Sequence, residues 1–365
     1  MSSSSPMDCL AGIRVLDLSQ YIPGPFTTLM LADFGAQVIK VEPPAGDPMR
    51  VFGPLDADGT TPFYKALNAG KTVVRLDLKG EDAVRLERLV GSADVLLESF
   101  RPGTLDRLGF GAERLRALNP RLIHCALSGF GQTGPWRLRA GHDLTYVALT
   151  GGLSRLGDEA APTIPFPPLA DHAGALQAVT AILAALVRRG RTGLGAHLDV
   201  SLQESALAWQ YLALSAGGRD LGRGRDLLNG GAAYYRIYRT RDGRFLAAAP
   251  IEAKFWRAFC QVVGRPDLIA RQDEPLPQTA LIAEVAALIG SRSLAEWVRL
   301  LDQADCCVEP VLEPAEVFGQ NHVEERGFLQ PDGQVLLPVR LDGAARPPRA
   351  PLRDADGMAI DWEQG

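Results

Sequence analysis

Cysteine is scarce and poorly arranged for cross-linking. The 365 residues hold five, Cys9, Cys125, Cys260, Cys306 and Cys307, with no CxxC pair and an odd total. That excludes a disulfide scaffold, and reduced thiols in a cytoplasmic compartment are the natural reading. Histidines also number five, and no HxH, HExxH or Cys/His cluster groups them, so no metal site is expected. Excess positive charge is absent: 38 Lys and Arg face 43 Asp and Glu, a formal net charge of −5. No basic run exists to track a phosphate backbone, which speaks against a nucleic-acid partner but leaves single cations for one small anionic ligand. Apolar runs are interrupted by charge or glycine short of membrane-spanning length, so no membrane partner is expected. The opening MSSSSPMD has no long apolar core and reads as a frayed tail rather than a secretory signal.

What remains is an ordinary globular composition, 46% hydrophobic and 22% charged, on a chain long enough for two domains. The first third alternates strand and helix patterns. IRVLDLS (13–19), QVIKVEP (37–43), VVRLDL (73–78), DVLLESF (94–100) and LIHCALS (122–128) read as strands, with helical spacing between them, as in PFTTLMLADFGA (25–36). Repeated βαβ units imply a mainly parallel sheet covered on both faces. DHAGALQAVTAILAALVRRG (171–190) is the strongest helix, opening on Asp171 and closing on basic residues. After the Gly/Arg-rich stretch 217–231 the pattern changes: YYRIYRTRDGRFLAAA is a hairpin with an Asp-Gly turn, followed by helices near 252–264, 278–290 and 293–304. The expected fold class is α/β. A large Rossmann-like parallel-sheet domain spans 1–215 and is completed by about 325–365; 216–231 is a linker, and a smaller α+β domain occupies 232–324.

SGFGQTG (128–134) matches GxGxxG after a strand, but Pro135 and Trp136 follow and no amphipathic helix continues. A dinucleotide site is therefore rejected, and the loop is read as one that lets backbone approach something closely. His142, in RAGHDLTY (139–146), fits a hydrogen-bonded structural residue better than a catalyst when read alone, and Asp143 beside it fits a turn. Asp171 sits where an N-cap belongs, and Glu252 where a first-turn carboxylate is favourable. Capping and chemistry are compatible, since a carboxylate at a helix start is held in one place. His124 and His197 fall in strand-like runs as core or satisfied polar residues, and no role is assigned to His172.

Five segments then carry a resemblance: LAGIRVLDLSQYIPGPFTTLMLADFGAQVIKVEPPAGDPMR, LNAGKTVVRLDLK, DVLLESFRPGTLDRLGFG, RLIHCALSGFGQTGP and GLGAHLDVSLQES. In order they resemble the family III (CaiB/BaiF) coenzyme A transferases, a family that includes formyl-CoA and carnitine-CoA transferases and the α-methylacyl-CoA racemases. The racemase branch has a histidine followed by aspartate in RAGHDLTYVALTGGLS, where the transferase branch more often has tyrosine, so His142 leans toward racemases. One departure is the loop 46–68, as long as in many transferases.

The resemblance implies an enzyme, with His142, Asp171 and Glu252 as its catalytic residues. In a racemase His142 and Asp171 are the two acid/base groups and Glu252 supports the histidine. In a transferase Asp171 is the acyl-accepting nucleophile, Gly230 and Gly231 cover the intermediate, and nothing requires His142. Backbone amides at the Asp171 helix start are expected to stabilise an enolate oxygen. Lys40, Asn68, Lys71, Arg101 and Arg107, with Gly141 and Asp143, are implied contacts of the CoA moiety; ordinary surface charge is the competing reading for the basic residues. No resident cofactor is implied, because CoA enters as part of the acyl-CoA thioester substrate. The implied assembly is an interlocked, ring-like homodimer whose active sites combine one chain's large domain with the other's small domain. A non-catalytic acyl-CoA-binding relative is a third reading, but binding alone needs none of His142, Asp171 and Glu252.

Overall fold

The computed structural model describes residues 7–219, 221–302, 304–356 and 362. The chain forms two compact units, one from 1–150, 166–209 and 321–365, the other from 151–165 and 210–320.

The first unit is built on β1 (Arg14–Leu18), β2 (Gln37–Glu42), β3 (Thr72–Arg75), β4 (Val95–Glu98), β5 (Ile123–Ser128) and β6 (Ala196–Ser201). Its helices are α1 (Pro23–Asp33), α2 (Pro62–Asn68), α3 (Ala83–Ser92), α4 (Thr104–Arg107), α5 (Ala112–Leu118), α6 (Asp143–Leu149), α7 (Leu169–Thr192) and α8 (Leu202–Ala208). The strands form one sheet in the order β3-β2-β1-β4-β5-β6, every pair parallel, and a short strand at Arg353–Asp354 adds to the outside of β3. β4 and β5 are buried at every position, as expected of strands covered on both faces. On one face Leu16, Ile39, Val74 and Leu96 pack with Leu86, Leu89 and Val90 of α3 and Leu115 of α5.

Helix α7 departs from the sequence reading in two ways. Its 24 residues include a window of mean hydropathy 1.4, long and apolar enough by composition to cross a membrane. It is a core helix of the first unit, packed against α1, α8, β5 and β6, and Gly174 lets it approach α8: an added Cβ would lie 2.2 Å from Leu202 Cδ2. Its N-cap is Pro168 rather than Asp171, which stands in the first turn.

The second unit contains α9 (Tyr211–Ser215), an antiparallel sheet of β7 (Arg236–Arg239), β8 (Phe245–Ala248) and β9 (Val308–Pro310), and helices α10 (Ala253–Val262), α11 (Thr279–Ile289) and α12 (Leu294–Leu301). Trp256 and Trp297 fill its core and donate their indole N–H groups to the carbonyls of Leu268 and Ile289. Residues 151–165, expected in the large domain, and 216–231, expected as a linker, both belong to this unit. Arg223 bridges them by donating to the carbonyls of Asp158 and Glu159. Asp226 orders the rest, accepting from the amide of Leu221 while its own amide donates to Asn229 Oδ1.

The strand order positions the site. From β1 the chain runs outward through β2 and β3, then returns to β1's other side for β4, β5 and β6. The loops after β1 and β4 therefore part in opposite directions and leave a crevice at the carboxyl ends of the strands, where open α/β sheets bind ligands.

Candidate active site

A cleft of about 390 Å³ occupies this switch point. Its walls are Gln20, Tyr21 and Pro23 after β1, Ser99–Pro102 after β4, Ser128 at the end of β5 with Gly129 and Phe130 beyond it, then Arg137, Arg139, Gly141, His142 and Tyr146, with Asp171 and Leu202. His142 and Asp171, distant in sequence, thus line one cleft.

His142 precedes α6 in extended conformation, and its amide donates to Thr145 Oγ1 at 3.0 Å. The imidazole meets the ring of Tyr21 edge to face, centroids 6.1 Å apart. Tyr146, one turn into α6, clamps the approach to His142: its hydroxyl donates to the Gly141 carbonyl at 2.7 Å. Its ring leaves no room for a side chain at two neighbouring positions, since an added Cβ would come within 2.4 Å of Tyr146 from either Gly129 or Gly141. The close approach expected of the loop 128–134 is therefore made, at Gly129, by Tyr146. Burial raises the Tyr146 phenol to about 12.

Asp171 is partly buried in the first turn of α7. Burial first, and then the charge of Asp143, raise its carboxyl from 3.8 to about 7. Asp143 reaches it through the backbone, accepting the Asp171 amide on Oδ1 at 2.9 Å. Asp143 thus caps α7 from α6, and the Asp171 amide expected to face an enolate oxygen is already engaged.

The implied CoA contacts divide. Arg101 and Gly141 line the cleft, and the sequence reading missed two further cations there, Arg137 and Arg139. Their signal was their alternation in WRLRAGHD, directly ahead of His142. Arg107 is exposed but does not line the cleft; it donates to Thr104. Lys40, Asn68 and Lys71 are corrected outright: they are 0%, 1% and 1% exposed and have no surface to offer a phosphate. Lys40 pairs with Asp47 at 3.0 Å and donates to the Ser19 carbonyl at 2.7 Å. Lys71 pairs with Asp17 at 3.3 Å and donates to the Pro25 carbonyl and Asn68 Oδ1. Burial alone would raise Asp17, but Lys40, Lys71, Ser19 and Thr28 override it and bring it to about 2. These residues form a charged foundation beneath the β1–α1 loop.

Other residues named from sequence have local roles. Glu252 belongs to the second unit, exposed at the start of α10, and makes no side-chain capping bond. Gly230 has φ +102°, and an added Cβ on Gly231 would meet the Arg225 carbonyl at 2.0 Å, so both glycines answer backbone demands. His124 and His197 share a 3.0 Å contact between their Nδ1 atoms on adjacent strands, and His172 Nδ1 lies 2.5 Å from the Pro168 carbonyl.

Comparison with known proteins supplies the family. The sequence profile described as CoA-transferase family III matches residues 10–356. An α-methylacyl-CoA racemase of Homo sapiens is 38% identical over 339 residues, covering 90% of this chain and 85% of that protein. An acetyl-CoA:oxalate CoA-transferase of Acetobacter aceti is 34% identical over 383 residues, covering 99% and 97%. Among solved structures, a CaiB/BaiF family protein from Brucella suis superposes with a TM-score of 0.82 at 30% identity, covering 94% of this chain and 96% of that one. With a parallel sheet of matching fold and a profile spanning both units, the chain belongs to CoA-transferase family III.

Proposed function

We propose that the protein is an isomerase that inverts the α-carbon of 2-methylacyl-CoA thioesters by 1,1-proton transfer. The observation that carries this reading is that His142 and Asp171 line one cleft, with the Asp171 carboxyl raised to about 7. A thioester α-proton is weakly acidic, and its removal needs a base on one face and an acid on the other. In one direction neutral His142 takes the α-proton, the C–H electron pair moves to the thioester oxygen as an enolate, and protonated Asp171 returns a proton to the opposite face. The reverse direction starts from the imidazolium and the carboxylate. The pair works with one shared proton, and a carboxyl titrating near neutrality can hold it. Arg101, Arg137 and Arg139 are assigned to the CoA phosphates, through charge complementarity. Glu252 is assigned to orient the imidazole of a second copy's His142 in an interlocked homodimer.

Transferase chemistry is the second reading, supported by the Acetobacter aceti relative. There ionised Asp171 attacks the thioester carbonyl and expels CoA thiolate, which returns to the mixed anhydride and leaves aspartyl-CoA with release of the first carboxylate. One experiment separates the two. A purified (R)-2-methylacyl-CoA is incubated in deuterated water, without and then with a free carboxylate acceptor. The expected result is α-deuterium incorporation with inversion and no need of acceptor. A new acyl-CoA formed only with acceptor, and no exchange without it, makes the protein a transferase. Silence in both arms returns the non-catalytic binding reading.

A further inference from the structure

Tyr21 is anomalous twice. It is one of three non-glycine residues with positive φ among those described, at +64°. L-residues enter the left-handed region at a cost, and such outliers persist where the surroundings over-determine them. It is also a large aromatic side chain left 43% exposed, and what it faces is the cleft and His142.

The surroundings do over-determine it. On one side the Ser19 carbonyl is held by buried Lys40, and the Gln20 amide donates to Ser99 Oγ at 3.1 Å. On the other, the Tyr21 amide points to Asp47 Oδ1 at 3.4 Å, and Asp47 is the carboxylate that Lys40 pairs with. Pro23 then begins α1, removing the freedom of the chain to relax onward. Lys40 therefore grips the loop directly and through Asp47. The backbone twist turns the phenol ring to the cleft, edge to face with the imidazole at 77° between planes.

We propose that Tyr21 is a positioning residue for His142: its ring limits the rotation of the imidazole, and the buried Lys40–Asp47 pair locks the strained backbone that aims it. The proposal rests on the reading of His142 as a proton-transfer group. Proton transfer tolerates little misalignment, so a freely rotating imidazole lowers turnover more than binding. The ring, not the hydroxyl, is the working part.

Two variants separate ring from backbone. Tyr21→Gly removes the ring but suits the left-handed conformation, so folding and thermal midpoint are retained or improved. Tyr21→Phe keeps the ring. The expected result is a fall in kcat for α-deuterium exchange of about tenfold or more in Tyr21→Gly, with KM within about twofold, and near-parental kcat in Tyr21→Phe. The second readout needs no turnover: NMR of isotope-labelled histidine in the free protein. The order parameter of the His142 ring, from relaxation, should fall in Tyr21→Gly and hold in Tyr21→Phe, a readout that the lost ring current does not move. An unchanged kcat in Tyr21→Gly, an equal loss in both variants, or a His142 order parameter indifferent to both substitutions overturns the proposal. A parent protein that shows no α-exchange defeats the proton-transfer reading instead, and the NMR comparison then decides the positioning by itself.

Discussion

Asp171 is kept in a state that an ordinary surface carboxylate avoids. Its charge is opposed by burial and by Asp143, whose carboxylate is bound to the Asp171 amide and cannot move away without uncapping α7. The same environment that lets Asp171 hold a proton must then tax stability when the proton leaves. The folded carboxyl binds a proton more tightly than the unfolded one, so its contribution is fully present below pH 3.8 and is lost as pH rises through about 7. Asp171→Asn removes the titration and keeps the shape. The expected outcome is near-complete loss of inversion at the α-carbon, together with a gain in unfolding free energy at pH 8 on the order of 2 kcal/mol, after discounting for partial solvent access. That gain shrinks as the pH is lowered toward 4, and denaturant titrations at several pH values measure it. Glu98, also raised to about 7 by burial while the Phe100 amide opposes, remains in the variant and leaves a residual slope in the same window. A variant with the parent's pH slope would mean that the Asp171 carboxylate is better solvated than its surroundings indicate.

At the scale of elements, the strands were legible in the sequence and their charges were not. β1, β2, β4 and β5 are apolar runs of strand length between helical patterns, and periodicity alone reveals them. The resemblance names Lys40 and Lys71 as CoA contacts, with exposed surface charge as the competing reading, and neither anticipates burial, because a lysine is rarely fully buried without a partner. Here the partners come from elsewhere in the fold: Lys40 sits in register with Asp17 on β1, but its carboxylate is Asp47, beyond the end of β2, and Lys71 reaches Asp17 from ahead of β3. Only the packed sheet brings such groups together, so no local pattern announces them. α6 was missed because Asp143, directly after the glycine-flanked His142, reads as a turn residue rather than as the start of a helix. The reassignment makes a sharp prediction. Lys40→Met leaves Asp47 buried without its cation and costs roughly 3–5 kcal/mol in a denaturant titration. A phosphate ligand would instead raise the KM for acyl-CoA and leave stability near the parental value.

The whole molecule presents a different problem, because its proposed catalytic groups lie in two units: His142 and Asp171 in the first, Glu252 in the second. That separation has no signature in the chain, and the motifs name all three residues without saying whether one copy supplies them. The family resemblance argues for sites completed by a second copy, and mixing inactive variants tests it. Take Asp171→Asn and Glu252→Gln, each expected to lose activity alone, and co-refold them in equal amounts. If sites join the first unit of one chain to Glu252 of the other, each mixed dimer has one doubly altered site and one intact site. Random pairing makes about half of the dimers mixed, so about one quarter of parental activity returns. If Glu252 serves the His142 of its own chain, every site in every dimer carries one substitution and nothing returns. Activity of the co-refolded mixture, with each variant refolded alone as the control, therefore reads the parentage of the site directly. Recovery near one quarter assigns Glu252 across the dimer, and no recovery confines the site to a single chain.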